Sequence, residues 1–469
     1  MKHMTGGESR SYLLEDGVQL KRWKGGTACA ITDPTLKPVM LSGAEWALLK
    51  QCDGQTPLTP CDELYRFELM RVIRRCVCGE GMLRPGQIRE YPNYYFRNID
   101  WTITERCNYN CLHCFHAADN GRRREEFSRE EAMALLAEAA RCGIQGIRLT
   151  GGEPTLYPYF RDVVKEIRRQ GMALKTLITN GAFLDGELIG FLRETHPRAE
   201  IMLSYDGIGT HDWLRQHEGS EEQVLKAIRL CREAGFQVRI NMNVNRRNRE
   251  VILDSVRMLE DMGVHTVRLI KTTEAPRWQL NAGGDSLTID EYYAFSADFA
   301  ARYRESGMGL PVVIWQSLYL RGETRAFHAF PVKTRACRYR EDAHICSAML
   351  HKISLQASGD LIPCAPLAGL FTLRDIHMGN VKRDGLQKLL TAGPLMDSVN
   401  LRTGDRRRAG GKCSRCRYFP SCQGGCPALS MLFGGSLLSP DDYKCAFFEG
   451  GWYDRYCEVL DGWTNLNPL

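Results

Sequence analysis

The stretch Cys107-Asn-Tyr-Asn-Cys111-Leu-His-Cys114 constrains this chain more than any other. It sets three cysteines in a C-x3-C-x2-C array directly after an extended run, Ile99-Asp-Trp-Thr-Ile-Thr104. Three thiolates so closely spaced can hold three corners of a four-iron cluster and leave the fourth iron free to bind something else. The competing reading is zinc, which usually takes four ligands; His113 or His116 could supply the fourth. On spacing alone both readings stand.

A second motif, Thr150-Gly-Gly-Glu-Pro154, follows the strand-like Gly146-Ile-Arg-Leu149. Together the cysteine array and the GGEP resemble the radical S-adenosylmethionine (SAM) enzyme family, over residues 97–448. The resemblance implies a [4Fe-4S] cluster on Cys107, Cys111 and Cys114. Its open iron would chelate the amino and carboxylate groups of SAM. One electron would then yield a 5′-deoxyadenosyl radical that abstracts a substrate hydrogen.

Length and composition set wider bounds. At 469 residues the prior is about three domains. A net charge of +6 is weak for this length and gives no reason to expect nucleic acid. The triplets Arg122–Arg124 and Arg406–Arg408 read as solvated basic loops. Nineteen cysteines could form a secreted disulfide framework, but no apolar signal core follows Met1. No apolar run approaches the roughly 20 residues of a membrane span. A reducing cytoplasm and cluster ligation fit the cysteines better, with no membrane partner.

Along the chain, Gly17–Trp23 and Ala28–Thr32 read as two strands around Gly25-Gly26. Ser42 and Glu45 form a capping-box pattern for a helix over 41–50. Residues 62–75 predict a second and third helical piece, and Gly81–Gly86 resembles a wing. Residues 11–90 therefore read as a winged-helix-like domain. It resembles the precursor-peptide recognition element of peptide-modifying radical SAM enzymes, which adds a leader peptide as an extra strand to an open sheet edge. Cys29, Cys52, Cys61, Cys76 and Cys78 read as packing or loop thiols.

From Ile99 strand and helix alternate, with strands at 99–104, 146–150, 174–179, 200–204, 237–244 and 264–270. Ser128 with Glu131 forms another capping box. The expected fold class is α/β: the resemblance implies a partial (β/α)6 radical SAM barrel over 97–280, behind the winged-helix-like domain and ahead of a cysteine-rich C-terminal region. In such barrels reactive groups gather at the C-terminal ends of the strands.

The resemblance also implies SAM contacts. Gly151, Gly152, Glu153 and Pro154 would meet the methionine amino group. Ser204 and Asp206, in Leu203-Ser-Tyr-Asp-Gly207, would lie on the ribose or carboxylate side. Arg215 would pair with the SAM carboxylate. Asn243 and Leu269 would reach ribose and adenine, Asn180 would line the same mouth, and His113 stands where the family often has an aromatic residue.

Residues 281–336 read as a bridge, with a helix from Thr288 and a strand at 312–315. Then cysteines return: Cys346, Cys364, Cys413, Cys416, Cys422, Cys426 and Cys445. Zinc-ribbon packing is one reading of four of them. Their spacing is similar, gap by gap, to the SPASM extension, which would span 337–448 and leave a tail over 449–469. That resemblance implies two auxiliary [4Fe-4S] clusters. Cys346, Cys364 and Cys426 would share one, with Cys337 as fourth ligand; Cys413, Cys416, Cys422 and Cys445 would hold the other. Cys142, Cys231 and Cys457 match nothing and read as packing residues. Ser358-Gly-Asp360 reads as a hairpin turn.

The expected activity is radical SAM modification of a ribosomally made precursor peptide, giving a thioether or carbon–carbon cross-link, with a flavodoxin- or ferredoxin-type electron donor. Alternatives are a maturase oxidising a residue of a folded protein and a non-catalytic iron–sulfur scaffold. Lys271 and Glu274 are candidates for proton handling.

Overall fold

The computed structural model describes residues 10–114, 126–272, 276–330 and 339–466. His116, Arg122–Arg124, Glu274 and Cys337 lie outside the described residues.

Two small sheets open the chain. β1 (Arg10–Leu14) lies between β5 (Asp53–Leu58) and β6 (Ile73–Cys76), antiparallel to both. β2 (Gln19–Lys24), β3 (Ala28–Ile31), β4 (Val39–Leu41) and β7 (Ile88–Tyr94) form the other, in the order β4-β3-β2-β7. Helices α1 (Gly43–Lys50) and α2 (Asp62–Leu69) close a shared core containing Leu20, Trp46, Leu49, Leu64 and Phe67. Ser42 and Glu45 form the expected capping box on α1. The third helical piece expected within 62–75 is instead β6. Val72 and Ile73 are buried, Arg74 and Arg75 are exposed, and a stretch this short has no period of its own. Pairing with β1 decides its form. The expected wing at Gly81–Gly86 joins β6 to β7, strands of different sheets, so it is a crossover and not a hairpin tip.

β7 leads directly into β8 (Asn98–Thr104), which begins the main sheet. β8, β9 (Gly146–Gly151), β10 (Ala173–Thr179), β11 (Glu200–Ser204), β12 (Gln237–Val244) and β13 (Thr266–Lys271) lie parallel in that order. All six expected strands are present. The intervening helices are α3 (Arg129–Arg141), α4 (Phe160–Arg169), α5 (Gly186–Thr195), the short α6 (His211–Arg215), α7 (Ser220–Glu233) and α8 (Ile252–Asp261). Ser128 and Glu131 cap α3 as the spacing predicts.

The sheet extends beyond the expected barrel. After α9 (Pro276–Asn281) and α10 (Ile289–Ser306), β14 (Val312–Ile314) adds parallel to β13. β15 (Leu318–Arg321) and β16 (Ala326–Ala329) follow antiparallel. On the opposite edge β17 (Lys352–Leu355) pairs parallel with β8 and antiparallel with β18 (Leu361–Ile362). β19 (Thr464–Asn465) pairs with β16, so the expected bridge and tail both belong to the sheet.

Alternation along each strand separates two faces. Ile99, Trp101, Ile103, Ile240, Met242, Val267 and Leu269 join the helix-covered core. Asp100, Thr102, Arg148, Asn241, Asn243 and Arg268 take the other face, the barrel interior. The N-terminal domain docks where the strands begin. Trp23 Nε1 and Asn93 Nδ2 both donate to the Cys142 carbonyl, at 3.0 and 3.1 Å. Gly143 is required there: its φ is +79°, and a Cβ would stand 2.8 Å from the Trp23 ring. Among the described residues no helix is long and apolar enough to cross a membrane.

Candidate active site and metal centres

The cysteine loop leaves the C-terminal end of β8. Cys111 is buried, and Cys107 and Cys114 are half-buried; all three are free thiols. Burial pushes the Cys107 thiol up to about 12, opposed by the backbone N–H of Tyr109, which donates to its sulfur at 3.5 Å. Burial also raises Cys111, opposed by Arg215, whose guanidinium donates to that sulfur at 3.8 Å. Cys107 and Cys111 each feel the charge of neighbouring cysteines in the array, so the three converge. Thiols held protonated when empty become thiolates on iron, which is how coordination and proton release are coupled.

The GGEP turn braces this loop. A Cβ on Gly151 would collide with the Thr104 carbonyl, and one on Gly152 with the Arg106 carbonyl. The two glycines therefore permit close approach to the chain entering the cysteine loop. Gly152 N–H donates to Thr104 O at 2.9 Å and Glu153 N–H to Arg106 O at 2.7 Å. Glu153 is fully buried, and its carboxylate accepts from Thr155, Thr179 and the Asn180 N–H. Burial raises its pKa against those bonds. Its oxygens thus tie β9 to β10. Pro154 opens the following turn, and Asn180 Nδ2 donates to Asn108 Oδ1 at 2.7 Å, pinning the cysteine loop to β10.

Across the barrel lies a buried polar knot. Asp206 has no exposed surface; it accepts from Arg215 Nε at 2.6 Å and from the Asn243 N–H at 2.8 Å. Burial opposes its charge, but Arg215 and His211 outweigh burial and hold the carboxyl far below its ordinary range. Arg215 so connects Asp206 to Cys111. His113 Nε2 lies 3.0 Å from Asn243 Nδ2, while its buried Nδ1 has no partner among the described residues. Burial, reinforced by Arg215, drops His113 to about 3, so the ring is neutral. Ser204 ends β11 on the interior face, half-buried. His211, to which no motif assigns a role, joins this knot through Asp206 at 3.5 Å.

Two expectations need correction. Leu269 is fully buried on the outer face of β13, so Arg268 and Ile270 face the interior in its place. Lys271 shares that outer face and is buried, its Nζ 6.0 Å from the Tyr443 ring centroid. Strand alternation accounts for both.

In the C-terminal region Cys413, Cys416, Cys422 and Cys445 line one pocket, with Lys412 and Lys444 at its wall. Cys346, Cys364 and Cys426 form a separate group whose charges act on one another. Burial pushes Cys364 up to about 12. The β17–β18 hairpin turns at Gly359, φ +96°, and delivers Cys364 directly after β18. Arg406, expected on a solvated loop, is fully buried and donates to the carbonyls of Gly425 at 3.1 Å and Leu437 at 2.5 Å. It anchors the loop carrying Cys422 and Cys426. Nothing in its triplet signals this. Among the described residues no three His, Cys, Asp or Glu close to the spacing of a single metal ion. Cysteine thiols are the usual donors to a tetranuclear iron–sulfur core, and these groups supply them.

Comparison with known proteins gives two family matches. Residues 101–259 match the radical SAM superfamily, and residues 346–417 match SPASM, an iron–sulfur cluster-binding domain. AdoMet-dependent heme synthase of Methanosarcina barkeri is 24% identical over 361 residues, 76% of this chain and 97% of that protein. Mycofactocin maturase MftC of Mycobacterium ulcerans is 25% identical over 349 residues, 73% and 86% of the two chains. Among solved structures, Streptococcus suis SuiB bound to precursor peptide SuiA superposes with a TM-score of 0.66 at 15% identity, over 92% of this chain and 99% of that one.

Proposed function

This chain is an enzyme with a radical SAM domain and a SPASM domain, and on that premise we propose that it modifies a ribosomally synthesised precursor peptide. The two domains imply iron–sulfur clusters and bound SAM. The product we propose is a thioether or carbon–carbon cross-link.

The observation that carries the reading is the two-sheet domain ahead of the barrel. The heme synthase match spans nearly all of that relative and leaves about a quarter of this chain unmatched. The fold shared with SuiB covers 92% of this chain. Among the described residues β6 pairs only with β1, leaving one edge open. Beside it, Tyr65 and Leu69 of α2 are exposed one helical turn apart, with Val77 just past the strand. An open edge next to an apolar stripe suits an extended leader: main-chain bonds would supply affinity and the stripe would select side chains.

In this reading Cys107, Cys111 and Cys114 hold the SAM-binding cluster. Cys413, Cys416, Cys422 and Cys445 hold one auxiliary cluster, and Cys346, Cys364 and Cys426, with Cys337, the other. Bound there, cluster and SAM would supply radical chemistry, the removal of a hydrogen atom from the substrate. The chain's own residues position and exclude water. Arg215, paired with Asp206, keeps a positive group beside Cys111; the neutral His113 offers an unpaired Nδ1; Ser204 and Asn243 face the same space for SAM's polar groups. Gly151, Gly152 and Glu153 hold the turn in place. A flavodoxin- or ferredoxin-type protein supplies the electron. The test is anaerobic incubation of reduced, cluster-loaded enzyme and SAM with the short peptides encoded beside the gene. Tandem mass spectrometry should find a peptide two hydrogens lighter; unchanged peptides, with SAM cleaved, would reject the substrate.

A further inference from the structure

Beneath the polar knot, the barrel interior carries more positive charge than it neutralises. Asp100 on β8 accepts from Arg148 of β9, at 3.0 and 3.1 Å, and from Lys352 of β17 at 2.9 Å. One carboxylate thus serves two cations. A third, Arg268 of β13, has none: among the described residues its side chain makes no ion pair or hydrogen bond. Its flank is the Trp315 indole, whose centroid lies 5.8 Å away. The guanidinium is deeply enclosed, and the residue keeps some accessible surface. Burial lowers its pKa, Arg148 lowers it further, and the opposing neighbours are Tyr292 and Cys364, neither of them a carboxylate. Enclosing an unpaired charge is costly, and cation–π contact with one indole offsets a small part of that cost.

A second unpaired group sits beside it. Asn241 of β12 is in direct register with Arg268. Its Oδ1 is buried without a partner, and its Nδ2 reaches Met202 Sδ at 3.1 Å. Asn243 of the polar knot lies two residues further along the same strand face, a rise of about 7 Å. Arg268 and Asn241 therefore face the space between the Cys107–Cys114 loop and Cys364.

We infer that Arg268, with Asn241 beside it, receives a carboxylate of the substrate inside the barrel. A guanidinium fork matches a carboxylate through two parallel hydrogen bonds, while the unpartnered Asn241 Oδ1 accepts from a substrate N–H beside that carboxylate. The substrate residue is then held by its acid group with neighbouring carbons directed toward the SAM end of the interior. In the precursor reading, on which this inference rests for its substrate, the group is an Asp or Glu side chain of the core segment or the peptide's C-terminal carboxylate.

The experiment uses the full-length, cluster-loaded enzyme with SAM under anaerobic conditions. Its probes are the precursor peptide encoded beside the gene and a series in which each core Asp or Glu becomes Asn or Gln, or the C-terminus is amidated. For wild type, one member of the series should raise KM or Kd roughly ten- to a hundredfold. Arg268→Gln should raise it similarly for the parent peptide and be indifferent to that one substitution. Arg268→Lys should fall between. Iron and sulfide per chain should stay at the wild-type level in both variants. A peptide bound and modified with no dependence on any carboxylate overturns the inference while leaving the precursor reading intact. Loss of iron and sulfide in Arg268→Gln, or a changed auxiliary-cluster paramagnetic spectrum without substrate, overturns it by assigning the guanidinium to the cluster. If no peptide binds wild type, the precursor reading fails, and coproporphyrin III, whose propionates present the same group, becomes the probe. Arg268-dependent binding of it then supports carboxylate recognition, and Arg268-independent or absent binding overturns it.

Discussion

Asp206 and Arg215 form an ion pair from which water is excluded, and each stays charged because the other is present. Removing one partner strands the other. Arg215→Met should destabilise the fold by about 3–5 kcal/mol, and Asp206→Leu/Arg215→Met should recover much of that loss, as denaturant midpoints would show. Because Asp206 titrates far lower in the native state than in the unfolded chain, its contribution is complete above about pH 4 and is lost as pH falls through the native value. A second pH effect acts at the alkaline end. Burial pushes the packing thiols Cys29, Cys52, Cys142 and Cys231 up to about 12 from an ordinary 9.0. Above pH 9.0 the unfolded chain sheds protons that these native thiols keep, so stability falls as pH rises. Lys21 and Lys175, lowered by burial to about 8 from 10.5, work the other way between those values. Beyond 10.5 the lysines no longer offset the thiols, each of which contributes about 1.4 kcal/mol per pH unit, and tyrosines raised by burial, such as Tyr95 and Tyr293, act in the same direction. Cys231→Val should therefore lose less Tm than wild type between about pH 9 and 11; equal slopes would contradict the assignment.

At the scale of elements, the motifs were legible because their chemistry is local. Cys107–Cys114 and Gly151–Pro154 each fall just after a strand, and alternation with capping signals such as Ser128–Glu131 located those strands. Sequence missed what depends on partners far along the chain. The form of β6 is decided by β1, the face of Leu269 by the strand's exact phase, and the role of Arg406 by carbonyls up to thirty-one residues away. The glycine pair also relieves a contact that no motif signals, with the backbone of Thr104–Arg106. Gly152→Ala should accordingly displace the cysteine loop and lower iron and sulfide by one cluster's worth, leaving the C-terminal cysteines loaded. Arg406→Met should do the converse, reducing auxiliary-cluster iron while SAM cleavage to 5′-deoxyadenosine persists.

Across the whole molecule one sheet unites the parts that the sequence separates. β17 attaches the cysteine-rich region to the first barrel strand, and β14 to β16 with β19 attach the bridge and the tail to the other end. The N-terminal domain is fixed to the barrel through Trp23, Asn93 and Gly143. A leader held on β6 would thus be held relative to the interior. Charge placed on its apolar border tests this: Leu69→Glu should weaken precursor binding, read by fluorescence anisotropy, without changing SAM cleavage measured in the absence of peptide. The most direct test of the central claim is one anaerobic reaction of reduced enzyme, SAM and the neighbouring-gene peptide, followed by mass spectrometry of both products. The account predicts 5′-deoxyadenosine accumulating together with a peptide two hydrogens lighter, and neither in a Cys111→Ala variant. Peptide conversion that survives Cys111→Ala, or intact SAM in the wild-type reaction, would contradict it.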